Sequence, residues 1–497
     1  MSWRAAIALG AVAFAAGCGG GGGSGSAAPP MGPTASPPIV LSQSMRISSD
    51  PFTNASSQHA TEVEPSAFSF GSTIVAASQA GRFRTSGSSD IVWEVSRDAG
   101  STWASGVMPG MTQYTLPAAP FDSVSDPVVA YDAAHATWLV SSIPVYFNNA
   151  PQPPVLVNRS TDGLTWTTPV PIVPYEVEPD KDWMTCDNSV SSPYYGHCYV
   201  EWDEFGNNLT IHMSVSTDGG QSWSPPRNTA GNAAGLGGQP LVQPNGTVVV
   251  PIDDGNESNI LSFVSTDGGA TWTQPVNVTR ISDHADAGGI RSGPLPSAAI
   301  DASGRIFLAW QDCRFRTGCT SNDIVLSTSA DGLNWSTPAR VPIDANPSSA
   351  DHFLPGIGVD ASTAGGGAHL GITYYYYPDA NCTVQTCQLF SGFIASQDGG
   401  NTWGLPVSLA GPMALASLAQ TTQGAMVGDY IATVFSNARP VGVFPVASVT
   451  GGGFDEALNV PRPGTIHVSS VHRSSAGERA EAAARSDHPP RHPRPIR

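Results

Sequence analysis

The stretch Ser265-Thr266-Asp267-Gly268-Gly269-Ala270-Thr271-Trp272 decides the reading of this chain, because near copies of it recur along the whole length. Ser96 to Trp103 reads S-R-D-A-G-S-T-W, Ser216 to Trp223 reads S-T-D-G-G-Q-S-W, and Ser396 to Trp403 reads S-Q-D-G-G-N-T-W. Two shortened copies end at Trp166 and Trp335, so the aspartate recurs six times, at Asp98, Asp162, Asp218, Asp267, Asp331 and Asp398. These residue types specify a turn between two strands: glycine takes the positive φ, and the carboxylate accepts N–H groups across the turn. The tryptophan then fills the gap between neighbouring units. Intervals of 49 to 67 residues between the aspartates are the signature of a repeat architecture.

Working outward, the composition agrees with short strands joined by many turns. Of 497 residues, 53 are glycine, 43 are proline and only 12% are charged, and long amphipathic helical patterns are missing. The expected class is all-β, in one domain rather than the several that length alone allows. A net charge of -18 excludes nucleic acid as a partner, since phosphate binding needs clustered cations.

The ends carry other information. Met1 to Arg4 is a short cationic start, Ala5 to Ala16 an apolar run, and Ala15-Ala16-Gly17-Cys18 a small-residue cleavage site, so residues 1–18 resemble a bacterial lipoprotein signal with Cys18 as the lipidated residue. Plain secretion with a free Cys18 is the alternative. Residues 19–37, rich in glycine, serine and proline, read as a flexible linker. Residues 471–497 read as a disordered basic tail; from Arg473 onward six arginines face three acids, a net +3. The remaining cysteines fall into close pairs, Cys186 with Cys198, Cys313 with Cys319 and Cys382 with Cys387, as disulfides of an exported protein do. No CxxC-type zinc spacing is present.

The six repeats are the Asp-box, or BNR repeat, and through them the chain resembles the sialidase-like β-propellers. In that family the box is a structural turn on the outer part of each blade, so the resemblance makes its six aspartates structural. It implies four-stranded antiparallel blades over residues 38–470. The fifth unit gives the template: Ser297–Asp301, Ile306–Gln311, Ile324–Ser329, box, then 339–342. After the sixth box only two or three strands follow, Tyr430–Ser436, Val441–Ser448 and Phe454–Asn459, and Val40–Ser48 resembles an outer strand. The N-terminal strand is therefore expected to close the ring as the outer strand of a seventh blade. The family's usual count of six blades is the alternative.

If the boxes occupy one face, the connections of the opposite face surround the channel mouth, and chemistry is expected there. Preceding the inner strands are Glu62 and Glu64, Asp126, then Asp180, Lys181 and Asp182, then Arg291, Asp351 with His352, and Asp429 with Tyr430. Arg314 and Arg316, in C-R-F-R-T-G-C, add forks suited to carboxylates, and Arg82 and Arg84 recur in G-R-F-R. The leading expectation is a sialidase-like glycoside hydrolase at the cell envelope acting on a glycan. Asp126 or Asp182 would be acid/base, Tyr430 or Asp429 nucleophile or its support, and Arg291, Arg314, Arg316 and His352 the substrate-binding set. The Arg-Ile-Pro motif of active sialidases is absent, and Glu201 and Glu204 stand as partners for the tyrosine without positional support. The stretches S-D-P-V-V-A-Y-D, D-K-D-W-M-T-C-D and V-G-D-Y-I resemble a broad bacterial group of exported BNR-repeat proteins. A non-catalytic propeller binding glycan or a protein partner is the alternative, and a calcium ion held by the acidic ring a third reading. No cofactor beyond that structural calcium is expected. The chain is read as a monomer that meets a membrane only through a lipid anchor.

Overall fold

The computed structural model describes residues 43–148, 152–172, 178–448, 451–466, 468 and 473–474. The expected signal, the linker, Cys18 and nearly all of the basic tail lie outside them. Among the described residues no helix is long and apolar enough to cross a membrane. Among the described residues strands dominate, and the helical elements are three short 3-10 turns.

The strands form antiparallel units of four, joined in chain order. The first unit runs Glu62–Phe70, Thr73–Arg82, Ser88–Ser96 and Ala104–Val107, and the second starts at Ser123–Asp132; one pair, Ser88 with Val124, links them into an eight-stranded sheet. The third, fourth, fifth and sixth units have inner strands Pro179–Cys186, Leu241–Val242, Ser297–Ile300 and Asp351–Val359. The last unit takes Ala432–Ser436, Arg439–Ala447 and Glu456–Pro461 from the C-terminal end of the chain, and its outer strand, Ser44–Arg46, from the N-terminal end. Ser44 lies opposite Pro461 and Arg46 opposite Asn459. The N-terminal segment thus occupies the outer edge expected of it. Strand bounds in the fifth unit match the sequence template within a residue or two, at Ile306–Asp312, Asp323–Ser329 and Ala339–Arg340.

The apolar core is distributed between the units rather than gathered in one place. Tyr199, Ile211 and Met213 of the third unit pack with Val250, Phe263 and Trp272 of the fourth. Phe307, Leu326 and Ala309 pack with Ile372, Tyr374 and Trp403. Ile74 and Ala76 of the first unit meet Val434, Val443 and Leu458 of the last, so the ring closes on itself. Each buried aliphatic or aromatic side chain contributes about 1.5–3 kcal/mol.

The boxes explain how neighbouring units are spaced. Asp98 accepts N–H bonds from Ser101 (3.0 Å) and Thr102 (2.8 Å) on one oxygen and the Thr102 hydroxyl (2.7 Å) on the other. Those bonds, the Thr102 N–H above all, hold its carboxyl down at about 2. Gly269 of the fourth box adopts φ 82°, and a Cβ there would lie 2.6 Å from Val215 of the preceding unit. The first box does the same to the last unit, with Gly100 facing Val441. A glycine in this turn serves both the backbone conformation and the close approach.

Three disulfides form, Cys186–Cys198, Cys313–Cys319 and Cys382–Cys387, as the spacing predicts.

Candidate site at the channel mouth

In an antiparallel four-strand unit, the turn between the first two strands and the box lie at one end. The loops between the second and third strands, and the connections to the next unit, lie at the other. Arg291 and Asp429 with Tyr430 precede their inner strands as expected, whereas Glu64, Asp126 and Lys181 sit in bulges within theirs. Register breaks between Val63 and Ser66, Ser125 and Val128, Asp180 and Trp183, and Phe353 and Gly356. At each break one residue takes positive φ: Glu64 (55°), Asp126 (52°), Lys181 (49°) and Leu354 (48°). Proline follows in three of the four, as Pro65, Pro127 and Pro355. Proline lacks the ladder N–H and excludes the right-handed helical conformation from the residue before it, so the strand must break there.

The bulges bring charged side chains of separate units together. Lys181 Nζ lies 2.8 Å from Asp429 Oδ2, 3.6 Å from Glu64 Oε1 and 3.9 Å from Asp126 Oδ1. Arg291 grips Asp429 with both prongs of its fork, Nε donating to Oδ1 at 2.7 Å. The Asp429 N–H donates to Glu64 Oε1 at 3.2 Å, and Gln79 donates to the other Glu64 oxygen. Lys181 also stands 4.8 Å over the Tyr430 ring, which Trp183 meets edge-on at 5.2 Å.

Charge in this cluster is shared out by position. Burial pushes the Glu64 carboxyl up to about 7, against the pull of Lys181. Burial would raise Asp429 too, but Arg291 and Lys181 overcome it and hold the carboxyl far below its ordinary range. Burial opposes the charge on Lys181, and Asp429, Glu64 and Asp126 more than restore it. The Tyr430 hydroxyl donates to Pro127 O at 3.3 Å, and burial with the surrounding carboxylates drives its pKa well up. Between Lys181, Asp429, Tyr430, Leu295 and Leu354 there remains about 20 Å³, room for one water and no sugar. The cluster ties the first, second, third and last units to the segment leading into the fifth, and the level above it is the more exposed one.

Arg291 reaches that upper level, its side chain 24% exposed. Its N–H donates to Ala425 O at 2.7 Å, which fixes the backbone at the rim. Beside it stands Glu257, an exposed residue at φ 53° on the loop between Val248–Asp253 and Asn259–Ser265. Gly293 leaves room for it, since a Cβ there would lie 3.0 Å from Glu257 Oε1. Partial enclosure of its carboxyl, then the charge of Asp429, push the Glu257 pKa upward. Asp283, further along the rim, is pushed up to about 7, chiefly by enclosure of its carboxyl and in part by Glu257.

Of the residues singled out from the sequence, Asp126, Asp429, Tyr430 and Arg291 meet in one cluster. Asp182 is fully buried beside Glu201, and burial raises both carboxyls far above the usual range. Arg316 and His352 belong to a second network between the fifth and sixth units, whereas Arg314 turns to Asp312 and to Thr279 and Arg280 of the fourth unit. Arg314 pairs with Asp312 at 2.6 Å, and Arg316 with Asp323 at 2.5 Å and Asp344 at 2.8 Å. Arg340 completes that network at 2.8 Å from Asp323, and His352 is buried against Tyr374 and Tyr376. Sequence reasoning passed over Glu257, Asp283 and Asp286. Their signal was present: D-D-G-N-E-S-N lies on a loop of the mouth, and S-D-H-A-D stands just before Arg291.

A cavity of about 610 Å³ is an apolar groove elsewhere, lined by Pro117, Pro120, Phe121, Tyr146 and Pro169, and includes none of the cluster.

A family model described as a BNR repeat-like domain matches residues 72–295 and, overlapping, 155–354. Among solved structures, a protein of unknown function from Dyadobacter fermentans is 17% identical, with 71% of this chain and 97% of that one covered and a TM-score of 0.46. The Hadza microbial sialidase Hz136 is 15% identical over 81% of this chain and 65% of that one, with a TM-score of 0.40. A polysaccharide lyase, PL25 ulvan lyase, is 10% identical over 85% and 98%, with a TM-score of 0.48. A search of curated proteins returns no match.

Proposed function

We propose, from the premise that this chain belongs to the BNR repeat-like family, that it is an exported glycoside hydrolase acting on neutral glycans at the channel mouth. One observation carries the reading. Glu257 presents a carboxyl with a raised pKa on a loop of the mouth, against Gly293 and within the charge field of Asp429, whose own charge is matched by Arg291. A glycosidase needs a carboxyl that keeps its proton near neutral pH and can hand it to the departing sugar oxygen. Glu257, its carboxyl raised by enclosure and then by the charge of Asp429, is assigned that role as proton donor.

The charge at the rim selects the substrate. Glu257, Asp283, Asp286 and Asp351 are acids, whereas the positive charge of Arg291 is matched by Asp429 and those of Arg314 and Arg316 by Asp312, Asp323 and Asp344. An anionic sugar such as sialic acid would lie against these acids and gain no free fork from Arg291, Arg314 or Arg316. Uncharged sugars carry no such penalty. The three disulfides support export to an oxidising compartment, with Cys18 as lipid anchor and the propeller as a monomer.

Fluorogenic neutral glycosides tested beside a sialic-acid glycoside decide the matter. Cleavage of a neutral glycoside supports the proposal, and cleavage of the sialoside alone overturns the substrate assignment. One observation favours a binding protein instead: both Asp429 oxygens and the Tyr430 hydroxyl are already engaged, which leaves no free nucleophile among them. Saturable glycan binding without product from any glycoside would establish that reading.

A further inference from the structure

Two groups of side chains bring a histidine and two aspartates within 4.8 Å of one another: Asp323, Asp344 and His352, and His284, Asp286 and Asp351. The first already holds two cations, because Arg316 and Arg340 both enter it. The second lies at the rim of the mouth, and the ion pair the structure gives its aspartates is with His284 itself, at 3.2 Å.

Asp351 is 0% exposed, and its Oδ1 accepts the Asn322 N–H at 2.6 Å. Its Oδ2 accepts no hydrogen bond and faces His284 Nδ1, which is likewise buried without a hydrogen bond of acceptable geometry. Two enclosed lone-pair atoms at this separation are placed as ligands are. An ion about 2.1 Å from each would see them at an angle of about 100°, within the tetrahedral to octahedral range.

The surroundings hold the three side chains in place. Asn322 Nδ2 donates to His284 O at 2.7 Å and Asp286 Oδ1 at 3.3 Å, while Asn322 Oδ1 accepts the His284 N–H at 2.9 Å. Gln311 donates to Asp286 Oδ2 at 3.3 Å, joined there by the Ser292 hydroxyl. The Cys313–Cys319 disulfide ties the loop that precedes Asn322. Such outer partners fix carboxylates and imidazoles for a metal.

We propose that His284, Asp286 and Asp351 form a divalent metal site of zinc type, with a coordination position open to the mouth. One imidazole with two carboxylates suits zinc; calcium takes six to eight oxygens and gains little from imidazole. The site is independent of whether the protein hydrolyses glycans.

The test is zinc titration of the metal-stripped full-length protein by calorimetry, with the bound metal counted by elemental analysis. One zinc per chain is expected, with affinity lowered tenfold or more in H284Q and D286N and unchanged in D379N, an exposed aspartate on a neighbouring loop. Circular dichroism establishes that each variant is folded. Parallel titrations use calcium and manganese. Zinc binding that survives H284Q and D286N, calcium taken up at this site in preference to zinc, or no stoichiometric zinc at all overturns the proposal.

Discussion

Replacing Lys181 by methionine removes the one ammonium that Glu64, Asp126 and Asp429 share. At 2.8 Å the Lys181–Asp429 attraction is about 6 kcal/mol at an effective dielectric of 20, and the contacts at 3.6 and 3.9 Å add about 4 kcal/mol each. Dehydrating the ammonium takes several kcal/mol back. Asp429 keeps Arg291 in the variant, while Glu64 and Asp126 lose their nearest cation. The expected net loss is about 3–5 kcal/mol at pH 8, the usual consequence of breaking a buried charge network from one side. The deficit depends on pH in a stated sense. The folded Glu64 carboxyl already titrates near 7, above its ordinary 4.5, and losing Lys181 raises it further. The variant therefore folds with a protonated Glu64, and its deficit relative to wild type grows as pH rises through about 7, where the wild-type Glu64 ionises and the variant's does not. Urea denaturation of wild type and K181M at pH 5 and pH 8 reads both effects. A loss below about 1 kcal/mol at pH 8, or a larger loss at pH 5 than at pH 8, would refute the account of the cluster.

Two other predictions follow from the fold. Glu62 and Asp90 are pushed up to about 7 and Asp253 to about 8, chiefly by burial, so the folded state binds extra protons between the ordinary carboxylate range and these values. Stability therefore falls as pH rises from 5 to 8, by up to about 3 kcal/mol for a group shifted as far as Glu62. Below pH 4 the Asp98 and Asp162 carboxyls, held at about 2, give the opposite slope as they protonate. Thermal midpoints across pH 2–9 should peak near 4–5; a midpoint that climbs steadily to pH 8 contradicts the burial of these acids. In the fourth box, Gly269→Ala forces a Cβ to within 2.6 Å of Val215 at φ 82° and should cost about 2 kcal/mol or more by urea denaturation, where an unchanged midpoint would mean the box does not set the spacing of the units.

The repeat made most of the fold legible, because each box states both a turn and its neighbours. S-x-D-G-G-x-T-W names the positive-φ glycine, the carboxylate acceptor and the interface tryptophan within eight residues. The closing strand was legible through its likeness to Val276–Ser282. What the sequence concealed was the bulge. Glu64-Pro65 and Asp126-Pro127 read as a strand preceded by an acid, whereas the proline breaks a strand that has already begun, and the break turns the acid inward. Arg314 and Arg316 misled for a related reason: an arginine fork on a loop looks available, yet Asp312 takes the first and Asp323 and Asp344 take the second. Glu257 was hidden in a loop that composition marks only as a turn. Its carboxyl is raised first by enclosure in the fold and then by Asp429, 172 residues away in sequence.

The most direct test of the functional account is the turnover of a neutral fluorogenic glycoside by wild type and E257Q at pH 6, with folding confirmed by circular dichroism. A proton donor contributes roughly 100- to 10,000-fold, so kcat should fall by at least about a hundredfold while KM changes little. Turnover by E257Q equal to wild type, on a glycoside that wild type cleaves, would contradict the central claim.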